Sequence, residues 1–286
     1  MNTQYLPFMA LSPEFRDPGT ARYRILPVPF DLTSTFRKGA DRGPFALLEV
    51  SDQLEEYDIE TGSLPCRAGI FVEKPVLADD PEELAGRVQQ RTREILEAGR
   101  IPIILGGEHS VSVGSAWAAA GHFDDLTVVQ LDAHSDLRQS YHGSPFNHAC
   151  VMARIREKSP ILQAGIRSMD ISELEFVDPE RIFYAHQMRE DPDWITRLCS
   201  KLGTRTYLTI DLDAFDPSVL PSTGTPQPGG LDWYTVLRLI RGIAATSRLV
   251  GFDIVELCPD GTHASPMLAA TLLYKTIAYM ENTGKR

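Results

Sequence analysis

Three short stretches concentrate titratable side chains: GGEHS at 106–110, DAHSD at 132–136 and DLDAFDP at 211–217. Each follows an apolar run, PIIL, LTVVQL and TYLTI respectively. Side chains at i, i+2 and i+4 of an extended segment project to one side. Asp132, His134 and Asp136 are therefore expected to converge, and so are Asp211 and Asp213. With His109 they make four carboxylates and two imidazoles at strand ends. Carboxylates packed within a few ångströms repel and raise each other's pKa, so such a cluster needs a cation. The set contains no thiolate and suits Mn²⁺ better than zinc or a soft metal. Six ligands exceed one structural zinc but suffice for two metals that share carboxylates. Alone, a histidine after GGE reads as a helix start and DxD as a turn or capping pair. All three at strand carboxyl ends read as a dinuclear manganese site.

The elements that must position these residues alternate along the chain. Strands are expected at 22–28, 69–72, 102–105, 126–132, 161–166, 181–186, 206–213 and 249–257. Several are apolar on both faces, as in a parallel sheet covered on both sides. Helical periodicity falls at 43–57, 81–99, 110–121, 148–158, 191–203, 231–247 and 265–282. Pro81 and Gly99 bracket the second of these with the usual start and stop asymmetry. No linker, charge block or repeat cuts the chain, so residues 1–286 read as one domain: an α/β fold, three-layer α-β-α, around a parallel sheet of roughly eight strands. Ligands of such sheets bind beyond the carboxyl ends of the strands.

Composition narrows the function classes. The formal charge of −11 would repel a phosphate backbone and no basic stripe offsets it, so nucleic acid is not expected as a partner. A cationic small molecule fits better. Cys66, Cys150, Cys199 and Cys258 form no CxxC pair and read as reduced, buried thiols. The N-terminal stretch MNTQYLPFMALSPEF lacks a secretory pattern, and no apolar run reaches the length of a membrane span, so a cytoplasmic enzyme without membrane contact is expected.

In chain order, GGEHS, DAHSD, DLDAFDPS with TGTPQPGG, and DIVELCP resemble the motifs of the ureohydrolases, the arginase and agmatinase family. The resemblance runs over roughly residues 22–280, and GGEHSVS, DAHSDLR and HACVMARI look most like the short prokaryotic agmatinases. It implies two Mn²⁺ per subunit. His109, Asp132, Asp136 and Asp211 would serve one metal, His134 and Asp213 would complete the second, and Asp132 and Asp211 would bridge. A hydroxide between the metals would attack the guanidinium carbon, oriented by Asp136. Glu256, in DIVELCP, matches the glutamate that binds the guanidinium. A proton source must serve the departing nitrogen. His148 at the start of HACVMARI matches the HA pattern of the prokaryotic branch and is preferred over His142 in HGSPF, which remains a candidate for substrate contact. Gly229 and Gly230 are expected to open backbone conformations near the site mouth.

Arginases carry, as a rule, an Asn two places after the last Asp of the DAH motif, where it helps bind the α-amino acid end. This chain has Arg138. The resemblance therefore implies agmatine as substrate, with putrescine and urea as products. Arg138 could alternatively hold a carboxylate, as in a guanidino-acid hydrolase (guanidinobutyrase or arginase), through a bidentate contact. Aminopropylagmatine is a further alternative. A dinuclear metallophosphoesterase would need cationic phosphate ligands, and GGEHS and VELCP do not fit it; a silent scaffold would have lost a ligand, and all six are present. Family likeness also implies a homo-oligomer, trimer or hexamer.

Overall fold

The computed structural model describes residues 6–283; residues 1–5 of the N-terminal stretch and residues 284–286 lie outside the described residues. Eight strands form one sheet: β1 (Tyr23–Val28), β2 (Ile70–Val72), β3 (Ile101–Gly106), β4 (Leu126–Leu131), β5 (Ile161–Ile166), β6 (Ile182–Tyr184), β7 (Arg205–Asp211) and β8 (Arg248–Val255). Their order across the sheet is β2-β1-β3-β8-β7-β4-β5-β6, and every pairing is parallel. Every residue of β3 and β4 is buried, because both faces of a parallel sheet are covered.

The helices are α1 (Gly43–Val50), α2 (Pro81–Glu97), α3 (Ser112–His122), α4 (Val151–Ile155), α5 (Ala185–Glu190), α6 (Trp194–Cys199), α7 (Trp233–Thr246) and α8 (Ala264–Asn282). Ala85, Val113, Ala116 and Val151, from α2, α3 and α4, pack with Val128 and Tyr207 on one face. Leu47, Trp194, Leu237, Ile240 and Ile277, from α1, α6, α7 and α8, pack with Ile103, Leu208 and Phe252 on the other. Asp80 caps α2 by accepting from the amides of Glu82 and Glu83, and Pro81 occupies its first turn, where a missing N–H costs nothing.

Several boundaries differ from those expected. The helix read over 43–57 ends at Val50 and tightens into a 3₁₀ turn over Ser51–Gln53. The strand read over 181–186 stops at Tyr184 and gives way to α5, which the periodicity did not indicate. The region read as helix over 191–203 contributes only α6. β4, β7 and β8 end at residues 131, 211 and 255, so most of the expected ligands lie past the ladder. All four cysteines are buried and free. No helix among the described residues is long and apolar enough to cross a membrane.

Candidate active site

The chain order supplies the crevice. β3 and β4 are consecutive along the chain but stand apart in the sheet, with β8 and β7 between them. The residues after β3, β8, β7 and β4 therefore meet over four adjacent strand ends, where the winding reverses and a parallel sheet opens.

Past β3, the chain folds back against the segment after β1. A Cβ on Gly107 would lie 2.0 Å from the carbonyl oxygen of Phe30, so only glycine permits that approach. His109 then starts a 3₁₀ turn into α3. Its Nδ1 lies 3.1 Å from Asp132 Oδ2, 2.9 Å from Asp136 Oδ2 and 3.5 Å from Asp211 Oδ2. The second imidazole, His134, places Nδ1 2.9 Å from Asp213 Oδ2 and 3.6 Å from Asp132 Oδ1. Two sets of ligand atoms thus gather, His109 with Asp132 and Asp211, and His134 with Asp132 and Asp213. Asp132 belongs to both. Asp211 belongs to the first, and Asp136 approaches the same set through His109.

Simple strand alternation is not what brings them together. Asp213 sits on a 3₁₀ turn over Leu212–Ala214, where its amide donates to Asp211 Oδ1 at 2.8 Å. Asp136 adopts φ +51°, a left-handed conformation uncommon for a non-glycine residue, and this turns its carboxylate back toward His109. Glu256 takes φ +65° just beyond β8. Its amide donates to the Gly107 carbonyl at 2.7 Å, and its Oε1 accepts the His109 amide at 2.7 Å.

The donors fit a divalent cation. Asp132, Asp136, Asp211 and Asp213 are all buried, and no Lys or Arg among the described residues pairs with them. His109 Nδ1 is buried beside three carboxylate oxygens yet has none in hydrogen-bonding alignment. Burial and the charge of Asp132 push the Asp136 carboxyl up to about 7, and burial, Asp213 and Asp132 raise that of Asp211 well above its ordinary value. Burial alone would lower His134, but Asp213 and Asp132 outweigh it and push it up to about 12. Without a cation the imidazoles must carry the positive charge themselves. The opposite nitrogen of His109, Nε2, meets Thr209 Oγ1 at 2.9 Å, and Thr209 donates to Asp253 Oδ1 at 2.6 Å, the kind of outer partner that fixes a ligating imidazole.

Thr209 and Asp253 belong to a buried polar row that sequence reasoning missed. The register aligns Gln163, Gln130, Thr209 and Asp253 across β5, β4, β7 and β8. Gln163 Nε2 donates to Gln130 Oε1 at 2.6 Å, and Gln130 Nε2 donates to Asp132 Oδ2 at 2.7 Å. The signal was a polar residue inside each of four largely apolar runs.

His109, His134, Asp136, Asp211, Glu256, His148 and Arg138 line one cavity of about 220 Å³. His142 is not among its lining residues. It is exposed, with φ +48° and its ring 4.2 Å from that of Tyr141. Arg138 is already engaged: it stacks over Tyr141 at 4.6 Å and pairs with Asp170 at 3.3 Å and Glu173 at 3.6 Å. That leaves little of its guanidinium for a bidentate contact with a substrate carboxylate. Gly229 and Gly230 donate to Asp216 Oδ2 at 2.8 and 3.1 Å, and Gly229 has φ +82°. This closes a loop whose Thr225 also lines the cavity.

Burial lowers the His148 imidazole to about 4. The unfolded chain, with an ordinary value of 6.5, binds that proton more tightly, so the associated stability is full above pH 6.5 and is lost as pH falls toward 4. The difference reaches about 2 kcal/mol at pH 5. In denaturant titrations, His148→Asn should therefore lose about 2 kcal/mol less than the parent between pH 7.5 and pH 5. Equal losses would mean that the ring is not held neutral by burial.

A family model described as the arginase family matches residues 21–278. The chain is 39% identical over 269 residues to an N(1)-aminopropylagmatine ureohydrolase of Synechocystis sp., covering 89% of this chain and 88% of that relative. Among solved structures, the agmatine ureohydrolase of Thermoplasma volcanium superposes with a TM-score of 0.82 at 33% identity, covering 93% and 92%. Proclavaminate amidino hydrolase from Streptomyces clavuligerus superposes with a TM-score of 0.87 at 26% identity, covering 98% of both chains.

Proposed function

Because the chain belongs to the arginase family and is a ureohydrolase, we propose that it hydrolyses the guanidino group of an amine-tailed substrate, N1-aminopropylagmatine ahead of agmatine, releasing urea and a polyamine. The single observation that carries this is the placement of Glu256 beside the buried Asp and His cluster in one cavity.

Two divalent cations, manganese by the character of the donors, would be held by His109, Asp132, Asp136 and Asp211 and by Asp132, His134, Asp211 and Asp213, and would supply hydroxide near neutral pH. The chain's own residues do the rest. Glu256 pairs with the guanidinium and turns its carbon toward the cluster, where Asp136 orients the attacking oxygen. The carbon gains an oxygen and loses the alkylated nitrogen, which leaves as an amine only if it takes up a proton. His148, neutral near pH 7, is the group in the cavity able to take a proton from the attacking oxygen and pass it to that nitrogen. The positive charge of the guanidinium ends on the protonated amine, and urea leaves neutral.

Recognition of the tail follows from Arg138. With its charge covered by Asp170 and Glu173, that group of three side chains carries a net negative charge and favours an ammonium over a carboxylate. The preference for the aminopropyl substrate rests on the likeness to the Synechocystis relative; the likeness to the agmatine ureohydrolase supports agmatine as the second reading.

With the manganese-loaded protein, urea release should be fastest per mole of substrate for aminopropylagmatine, then agmatine. Guanidinobutyrate and arginine should trail by about tenfold or more in kcat/KM. Faster turnover of either acid would overturn the amine-tail reading, and no urea from any of the four would remove the hydrolase reading altogether.

A further inference from the structure

Glu108 lies one residue before His109 and is fully buried, yet its hydrogen bonds run to the segment after β1 and to Ser110 rather than to the ligand cluster. Its Oε2 accepts the amides of Thr33 at 2.6 Å and Ser34 at 2.8 Å. Its Oε1 accepts the hydroxyl of Ser110 at 2.6 Å and that of Thr33. Four donors on two oxygens leave the group purely an acceptor. The Thr33 hydroxyl has one proton, and it is committed to Glu108. Its oxygen can then only accept from His148, whose backbone amide lies 2.9 Å away and whose Nδ1 lies 3.4 Å away. Donor accounting therefore puts the imidazole proton on Nδ1, which leaves Nε2 with its lone pair for the cavity that His148 lines.

We propose that Glu108 is a positioning residue for proton transfer: through the hydroxyl of Thr33 it holds His148 in one orientation and in the Nδ1–H tautomer. This rests on the proposed reading of His148 as the proton shuttle, which accepts at Nε2 before it donates from the same atom. The role differs from ligand support, because none of the hydrogen bonds of Glu108 reaches one of the six expected ligands. It also explains a buried carboxylate that touches neither the expected ligands nor a cation. A glutamine at position 108 would keep its oxygen for the two amides and turn its NH₂ to the hydroxyls of Ser110 and Thr33, which frees the Thr33 proton for His148 Nδ1 and reverses the tautomer preference.

The test compares Glu108→Gln, Thr33→Val and Thr33→Ser in the loaded enzyme. Glu108→Gln and Thr33→Val should lower kcat by about tenfold or more with KM changed less than threefold and two metals retained, and Thr33→Ser should restore most of the rate. Long-range ¹H–¹⁵N spectra of the zinc-loaded chain, with the His148 signal identified by its loss in His148→Asn, should show the Nδ1–H form in the parent and in Thr33→Ser. Thr33→Val should show a mixture or the Nε2–H form. If Glu108→Gln does not fold, the two Thr33 variants carry the test alone. An unchanged tautomer in Thr33→Val, or a rate loss that Thr33→Ser does not repair, would overturn the inference. Absence of urea release by the parent would instead strike the functional reading, and the spectra would still report on the tautomer.

Discussion

Asp132→Asn should cost the protein both metals and bring urea release down by about a thousandfold or more, because a single side chain serves both ligand sets. Its Oδ2 stands 3.1 Å from His109 Nδ1 and its Oδ1 3.6 Å from His134 Nδ1. Each oxygen also has a donor to satisfy, the Gln130 amide at 2.7 Å on Oδ2 and the His134 backbone amide at 2.6 Å on Oδ1. An asparagine can present only one oxygen. Whichever way its amide is turned, the NH₂ meets a donor and removes a ligand atom, so neither orientation rescues the site. Asp213→Asn is the informative contrast. Its Oδ1 accepts the Ala133 amide at 3.0 Å, and only Oδ2 faces His134. Asparagine can keep the first contact and lose the second, so this variant should retain one metal. Metal analysis after dialysis distinguishes the outcomes. Full retention of two metals in Asp132→Asn would contradict the assignment. The metal-free Asp132→Asn chain should be less stable than the parent, because Asp132 is the charge partner of both imidazoles and they hold its carboxyl well below the ordinary value, and the rise in Tm that manganese gives the parent should disappear.

The strand ends were legible because the chemistry and the fold leave their marks at the same places. Apolar runs report a doubly covered sheet, and the polar residues that follow report its functional edge. The eight expected strands were all found, and the chain's membership of the arginase family agrees with the motifs that suggested it. The rest was hidden for identifiable reasons. Asp136 and Asp213 reach the site by a left-handed residue and a 3₁₀ turn, which a two-residue period cannot express. Pairing of Arg138 with Asp170 and Glu173 spans more than thirty residues, and nothing local announces it. The row of Gln163, Gln130, Thr209 and Asp253 was visible one residue at a time, but its meaning depends on the register of four strands. α5 begins directly where β6 ends, so helical periodicity had too few residues in which to declare itself.

Glu256→Gln should lower kcat/KM by about thirty- to several-thousandfold while leaving two metals in place. The substrate brings a guanidinium into a site where Glu256 is 5% exposed, and removing one partner of a buried charge pair costs about 2–5 kcal/mol. Burial, reinforced by the neighbouring charge of Glu108, raises the Glu256 carboxyl well above its ordinary value, so the group carries its charge most readily when a cation sits against it. Glutamine makes the contact worse than neutral. To keep accepting the His109 amide it must turn its NH₂ toward the guanidinium, placing donor against donor. The backbone separates this role from a structural one. At φ +65° a residue with a Cβ carries strain of order 1 kcal/mol, of the kind that accumulates at functional sites. Glycine at position 256 would relieve that strain and remove a buried charge. Glu256→Gly should therefore be inactive yet unfold at a temperature close to the parent's, the relief of strain and of buried charge offsetting the loss of the acceptor for the His109 amide. Steady-state kinetics, metal content and thermal unfolding of the two variants decide the matter. A Glu256→Gln enzyme within threefold of the parent, or a Glu256→Gly chain that is markedly less stable, would make the side chain a support of the fold and leave the guanidinium without its anchor.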